Sequence, residues 1–271
     1  MARVRIEPSL MISITLALLA YNIPAQPTNY NLRVKFEGMI PILGGNEGVA
    51  DVQLGVMVRS IEGKDGHVRA TSELTKAKII FNDATLPLSL ENIQDYFPKT
   101  TIEFTPLGKI LKSDAPDIQL PVRLPGLDVK RFPDISFMPV EFPDKELAVG
   151  DKWSFVKSFA GSDVTYECTM KALDEKTATI SLAIEQKYTV FEDSAMQVVE
   201  KKEDAENEVT TVLKATGGVV FERAGMVSIF TMIGKAESVV KPFVKGEETK
   251  RSLAISVDFS KVKPEKTSAL F

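Results

Sequence analysis

Strict alternation is the feature that most constrains this chain. Between Asn31 and Ile40, the apolar residues Leu32, Val34 and Phe36 interleave with Arg33, Lys35 and Glu37. An apolar–polar period of two buries one face of a segment only if that segment is a β-strand. The period returns in Val52, Leu54, Val56 and Val58, in Val164, Tyr166, Cys168 and Met170, in Ala178, Ile180, Leu182 and Ile184, and in Leu253, Ile255, Val257 and Phe259. Helical spacing is confined to one place, where Ser89 caps a short helix carrying Leu90, Ile93 and Phe97 that Pro98 terminates. The expected fold is mainly β, with antiparallel curved sheets or an open barrel-like sandwich and one short helix.

The turns suggest that this architecture is built twice. The Val52 strand runs into Glu62-Gly63-Lys64-Asp65-Gly66, whose Asp-Gly step is a hairpin signal because both residues tolerate positive φ, and Val68, Ala70 and Leu74 lead back. Val52–Leu74 overlies Val164–Gln186 without a gap, with Asp174-Glu175-Lys176 supplying the second polar turn. Further on, Phe104-Thr105-Pro106-Leu107-Gly108-Lys109-Ile110 resembles Phe221-Glu222-Arg223-Ala224-Gly225-Met226-Val227. Two collinear matches at similar offsets predict two weakly repeated, hairpin-rich halves.

Between the halves, Pro116 to Pro143 carries six prolines, which remove ladder donors and stiffen the chain. Its apolar residues, among them Ile118, Leu120, Phe132, Phe137 and Phe142, are too many for a free linker, so the connector is expected to lie against the sheets. Leu147 to Trp153 reads as a turn opening the second half, with Trp153 as a packing anchor. The expected organisation is a leader over 1–25, a first β half over 26–115, a packed connector over 116–145 and a second β half over 146–271. Residues 26–271 are expected to form one cooperative unit.

The leader is read from Arg3 and Arg5 followed by the uncharged run Leu10–Ala20. That run suits a signal-peptide core and is shorter than the about 20 apolar residues a bilayer span needs. Cleavage is expected after Ala25, leaving no stable membrane span and a soluble protein in the periplasm or outside the cell. No Cys follows the run to accept a lipid. Cys168 is the lone cysteine, which excludes an intrachain disulfide.

Composition narrows the function classes. With 33 Lys+Arg against 37 Asp+Glu, the net charge of -4 gives no general attraction to nucleic acid. His67, the only histidine, follows a turn on the polar side of its strand, with Glu62 and Asp65 nearby in sequence, and reads as a solvated residue rather than a general base. No Gly-x-Ser-x-Gly segment is present, and one His with one Cys cannot make a usual zinc site. Gly44–Gly48 lacks a phosphate-binding continuation, and Glu200–Glu208 mixes acids with lysines like a solvated loop. Carboxylate neighbours such as Glu192 with Asp193 and Asp144 with Glu146 are too common among so many acids to specify hydrolysis. Cys168 shares the apolar side of its strand with Tyr166 and Met170, the setting of a small buried residue rather than a reactive thiol. No catalytic, cofactor-binding or metal-binding residue is expected, and no enzyme; carboxylates and hydroxyls gathered from distant loops into a catalytic site rank below a binding or scaffold role.

Binding is the expectation that remains. Met226–Ile233 is apolar on both sides, which suits either a methionine-lined surface that repacks around an apolar or amphipathic ligand or a strand buried on both faces. The alternative is an envelope scaffold that recognises a protein partner through sheet edges. An outer-membrane barrel ranks lower, because Lys261 to Lys266 is no membrane strand and one Trp with five Tyr gives little for interfacial girdles.

The Pro-rich approach to Val149-Gly150-Asp151-Lys152-Trp153, the strand–turn–strand after it and the repeated Phe-to-Gly hairpin resemble a family of exported bacterial proteins of unknown function. Many of those are lipoproteins, and this chain departs from them in lacking the lipid-accepting Cys. The resemblance implies bacterial export and a β-rich fold.

Overall fold

The alternating segments pair into one antiparallel sheet of thirteen strands that does not close into a barrel. The structure is a computed structural model, and it describes residues 17–39, 47–61, 63, 66–87, 90–91, 99–114, 137–223 and 225–263. The first part of the chain supplies β1 (Thr28–Met39), β2 (Glu47–Ile61), β3 (Val68–Phe81), β4 (Ala84–Thr85), β5 (Thr100–Phe104) and β6 (Ile110–Ser113). The second supplies β7 (Lys152–Phe159), β8 (Ser162–Leu173), β9 (Thr177–Glu192), β10 (Val198–Val199), β11 (Asn207–Glu222), β12 (Val227–Pro242) and β13 (Thr249–Lys261). The strand order is β6-β5-β3-β2-β1-β13-β12-β11-β9-β8-β7, with β4 attached to β3 and β10 to β9. Each half is thus a meander, and the β1–β13 ladder welds the two at mid-sheet.

The register explains why alternation is so regular. Leu32, Val34 and Phe36 stand opposite Leu54, Val52 and Ala50 on one side and Phe259, Val257 and Ile255 on the other. A one-residue slip would turn every one of them to the wrong face. One hydrophobic cluster contains side chains from both meanders, from residues 17–23 and from residues 137–147. The apolar end of the connector therefore lies against the sheet as expected, with Phe137, Met138, Val140 and Phe142 buried. The earlier connector, residues 115–136, lies outside the described residues, as does most of the expected helix after Ser89, of which Leu90 and Glu91 are helical. The Asp65 turn is also largely outside them, although Gly66 has φ of 77° as the turn requires.

The two halves repeat one hairpin closely. In the β5–β6 turn the Thr105 N–H donates to Lys109 O at 2.9 Å and the Gly108 N–H to Thr105 O at 2.8 Å. In the β11–β12 turn the Glu222 N–H donates to Met226 O and the Gly225 N–H to Glu222 O, both at 2.9 Å. Each turn is followed by a one-residue bulge at the same place, Leu111 in one and Ser228 in the other. The other matched hairpins, β2–β3 and β8–β9, both form, but their bulges fall on different strands, at Thr75 and at Lys171.

The Ser228 bulge corrects one expectation. Met226–Ile233 is not buried on both faces: Met226, Val227, Phe230 and Met232 point inward, while Ile229 and Ile233 are 45% and 67% exposed on the outer face. The extra residue resets the alternation, so a run of mixed apolar residues still has one buried side.

Candidate ligand-binding face

The registers assemble the inward side chains into rows that cross the sheet. One row reads Ile79, Val52, Val34, Val257, Met232, Gly217, Leu182, Cys168 and Trp153, from β3 to β7. The next reads Phe81, Ala50, Phe36, Ile255, Gly234, Ala215, Ile184, Tyr166 and Phe155. Neither row contains a charged side chain. Small residues at their middle let the sheet curl: a Cβ on Gly217 would lie 2.2 Å from Thr231 O, and one on Gly234 2.6 Å from the Ala215 Cβ.

Curl brings together residues that a flat sheet would hold apart. Arg251 on β13 and Glu192 on β9 are three strands apart, about 14 Å at ordinary strand spacing. Yet the Arg251 Nη1 donates to Glu192 Oε2 at 2.7 Å, with side chains only 12% and 1% exposed. The pair arches beside a small separate core of Tyr188, Val190, Val209 and Val240. Next to it, Arg251, Ser238, Thr211 and Tyr188 make a polar row across β13, β12, β11 and β9. The Thr211 and Ser238 hydroxyls lie 2.8 Å apart, and the Gln186 Nε2 donates to Ser162 Oγ at 3.1 Å. Lys157 also faces inward from β7, where its Nζ donates to Met138 O at 2.8 Å and sits 5.9 Å from the Phe155 and Tyr166 rings.

The opposite end is aromatic. Tyr21 packs against Phe221, Phe142 and Phe104 at ring-centroid distances of 5.1, 5.5 and 5.9 Å. Trp153 continues the cluster toward β7 and its Nε1 donates to Glu141 O at 2.9 Å, the anchoring role expected of it. Along the strands, the inner face thus runs from an aromatic end through apolar rows to a polar row with a buried ion pair.

The residues singled out from sequence fall in different places. Cys168 is buried in an apolar row, and burial pushes its thiol up to about 12. We expect no reaction of this thiol with Ellman's reagent at pH 8 in the native protein and one equivalent in urea; prompt native labelling would show that β8 opens readily. His67 Nδ1 lies 3.1 Å from Glu103 Oε1 on β5, a partner that sequence proximity to Glu62 and Asp65 did not indicate. Glu192 and Asp193 diverge: Glu192 points inward, while the Asp193 carboxylate accepts the N–H groups of Ala195 and Gln197 in a turn. Lys202–Asp204 in the acidic stretch forms an exposed 3-10 turn. Gly48 lies in β2, and Gly44–Asn46 fall outside the described residues. Asp144 and Glu146 are not brought together with any further acid into a metal-holding group, and no such group occurs among the described residues. No helix among the described residues is long and apolar enough to cross a membrane.

Sequence reasoning missed Lys157 and Arg251, and weighed Glu192 only as a neighbour of Asp193. The available signal was parity, since each lies two residues from an inward apolar neighbour, Phe155, Leu253 and Val190 respectively.

No protein-family model matches this chain, and no curated protein matches it. Among solved structures, a chain from a study of lipid–protein interactions in lipovitellin is similar, with a TM-score of 0.51 and 9% identity. The match covers 89% of this chain and 25% of that one, so the protein spans a quarter of the lipovitellin chain's length. At that identity the likeness is one of fold.

Proposed function

We propose that the protein is a binding or carrier protein that holds an apolar or amphipathic molecule against the inner face of its sheet. The observation that carries this reading is the pair of uncharged rows crossing nine strands, separated from a polar row only by the row of Leu253, Ala236, Leu213 and Gln186. An acyl or other apolar moiety would lie along the rows, and a polar group would meet the Thr211 and Ser238 hydroxyls. The fold likeness to lipovitellin, whose structure was studied for its lipid interactions, supports the same reading. Export to the periplasm or beyond is part of the proposal, and it rests on the apolar run near the amino terminus.

Native mass spectrometry of the full chain, purified without detergent from an exporting bacterial host, tests it. The expected result is a reproducible extra mass of lipid size that disappears on denaturation. A bare chain that also takes up no fatty acid from mixed phospholipid vesicles would overturn the carrier reading and favour a protein partner.

A further inference from the structure

The segment before β1 packs as though it belonged to the sheet. From Ala17 to Ile23, burial alternates: Ala17, Leu19, Tyr21 and Ile23 are at most 6% exposed, while Leu18 is 58% exposed and Asn22 faces solvent. Its backbone is tied down at three places. Ala17 and Leu147 exchange both N–H to O hydrogen bonds, at 3.0 and 2.9 Å, the Tyr21 N–H donates to Pro106 O at 2.7 Å, and the Asn22 N–H donates to Gly225 O at 2.9 Å.

Those contacts reach both repeated hairpins. Pro106 and Gly225 lie in the β5–β6 and β11–β12 turns, and the Tyr21 ring touches Phe104 and Phe221, the matched residues that open them. The Tyr21 hydroxyl donates to Val140 O at 2.9 Å, so the connector is held as well. Gly108 is shaped around this arrangement: it has φ of +94°, and a Cβ there would lie 2.5 Å from Val140 O and 2.7 Å from the Tyr21 ring. One seven-residue strap thus closes the aromatic end of the sheet by joining the two halves and the connector.

We propose that residues 17–23 are a permanent part of the folded protein, so that any amino-terminal processing stops short of Ala17 rather than falling after Ala25. A cut after Ala25 would withdraw four buried side chains and leave the Leu147, Pro106, Gly225 and Val140 groups without these partners. It would also open the Phe104, Phe142 and Phe221 rings to water. The apolar run that reads as a leader is, from Ala17 onward, the composition of a buried strap whose outward residues, Leu18 and Ala20, happen also to be apolar. This inference does not depend on the carrier reading.

The test uses the full chain, produced in an exporting bacterial host and recovered without denaturation. Intact mass gives its first residue, and urea unfolding gives its stability with and without Tyr21→Ala. A folded protein that starts at or before Ala17, and whose unfolding equilibrium constant rises at least about a hundredfold with Tyr21→Ala, is expected. A cooperatively folded protein that starts beyond Ala17 overturns the proposal. So does a Tyr21→Ala protein with an unchanged urea midpoint.

Discussion

Gly217→Ala is expected to destabilise the protein by about 3 kcal/mol, the upper part of the range for overpacking, while Gly218→Ala is expected to be neutral or stabilising by about 0.5 kcal/mol. The two glycines are neighbours in β11, in ordinary backbone conformations, and opposite in surroundings. A methyl on Gly217 would meet the backbone of β12, with Thr231 O at 2.2 Å and the Met232 Cα at 3.3 Å. Neither can retreat without breaking the ladder. On Gly218 the same methyl would find Ile180 O at 3.7 Å and the Thr231 Oγ1 at 3.9 Å, ordinary contact distances. Alanine there restricts the unfolded chain and leaves the native one undisturbed. Urea unfolding of the two single variants checks the pair, and equal midpoints would mean that β11 and β12 do not approach as closely as described.

Arg251→Met is expected to cost about 3–5 kcal/mol, because it takes the guanidinium away from a buried carboxylate. Glu192 is 1% exposed in its side chain, and the guanidinium reaches it across two intervening strands. Adding Glu192→Leu to Arg251→Met is expected to recover most of the loss, since well-packed apolar side chains often replace a buried ion pair at little cost. Chemical denaturation of the single and double variants measures this. A single variant less than about 1 kcal/mol below the parent would place the pair among the weak surface bridges.

What the sequence revealed and what it hid have the same origin. Leu32, Val34 and Phe36 could be assigned because a single sheet with one buried face imposes a single parity on every strand. The alternation is not legible past Leu74 because Thr75 is a bulge: beyond it the inward set, now Ala77, Ile79 and Phe81, resumes one residue out of phase. The inward roles of Lys157, Arg251 and Glu192 were hidden because charge ordinarily marks the outer face, whereas here the connector offers Met138 O to Lys157 and the curl of the sheet brings Arg251 to Glu192. The strap was hidden because Leu18 and Ala20 mask its alternation. The likeness of the two hairpins was legible from the Phe and Gly positions, and in the first of them the turn that joins Phe104 to Ile110 holds Gly108 at a positive φ. No local pattern indicated that β13 returns to pair with β1, a contact set by the whole chain.

That last contact also sets a schedule for synthesis. Tyr30 pairs with Lys261, so one long edge of β1 has no partner until almost the entire chain has been made. At about 5–20 residues per second, the ribosome takes on the order of ten seconds or more to supply it. Throughout that interval the first meander carries an open edge along β1, its outermost strand, and an uncovered apolar face, the combination most prone to pairing with the wrong chain. The halves can each begin to form early, but the cell must keep the first one in waiting until the second arrives.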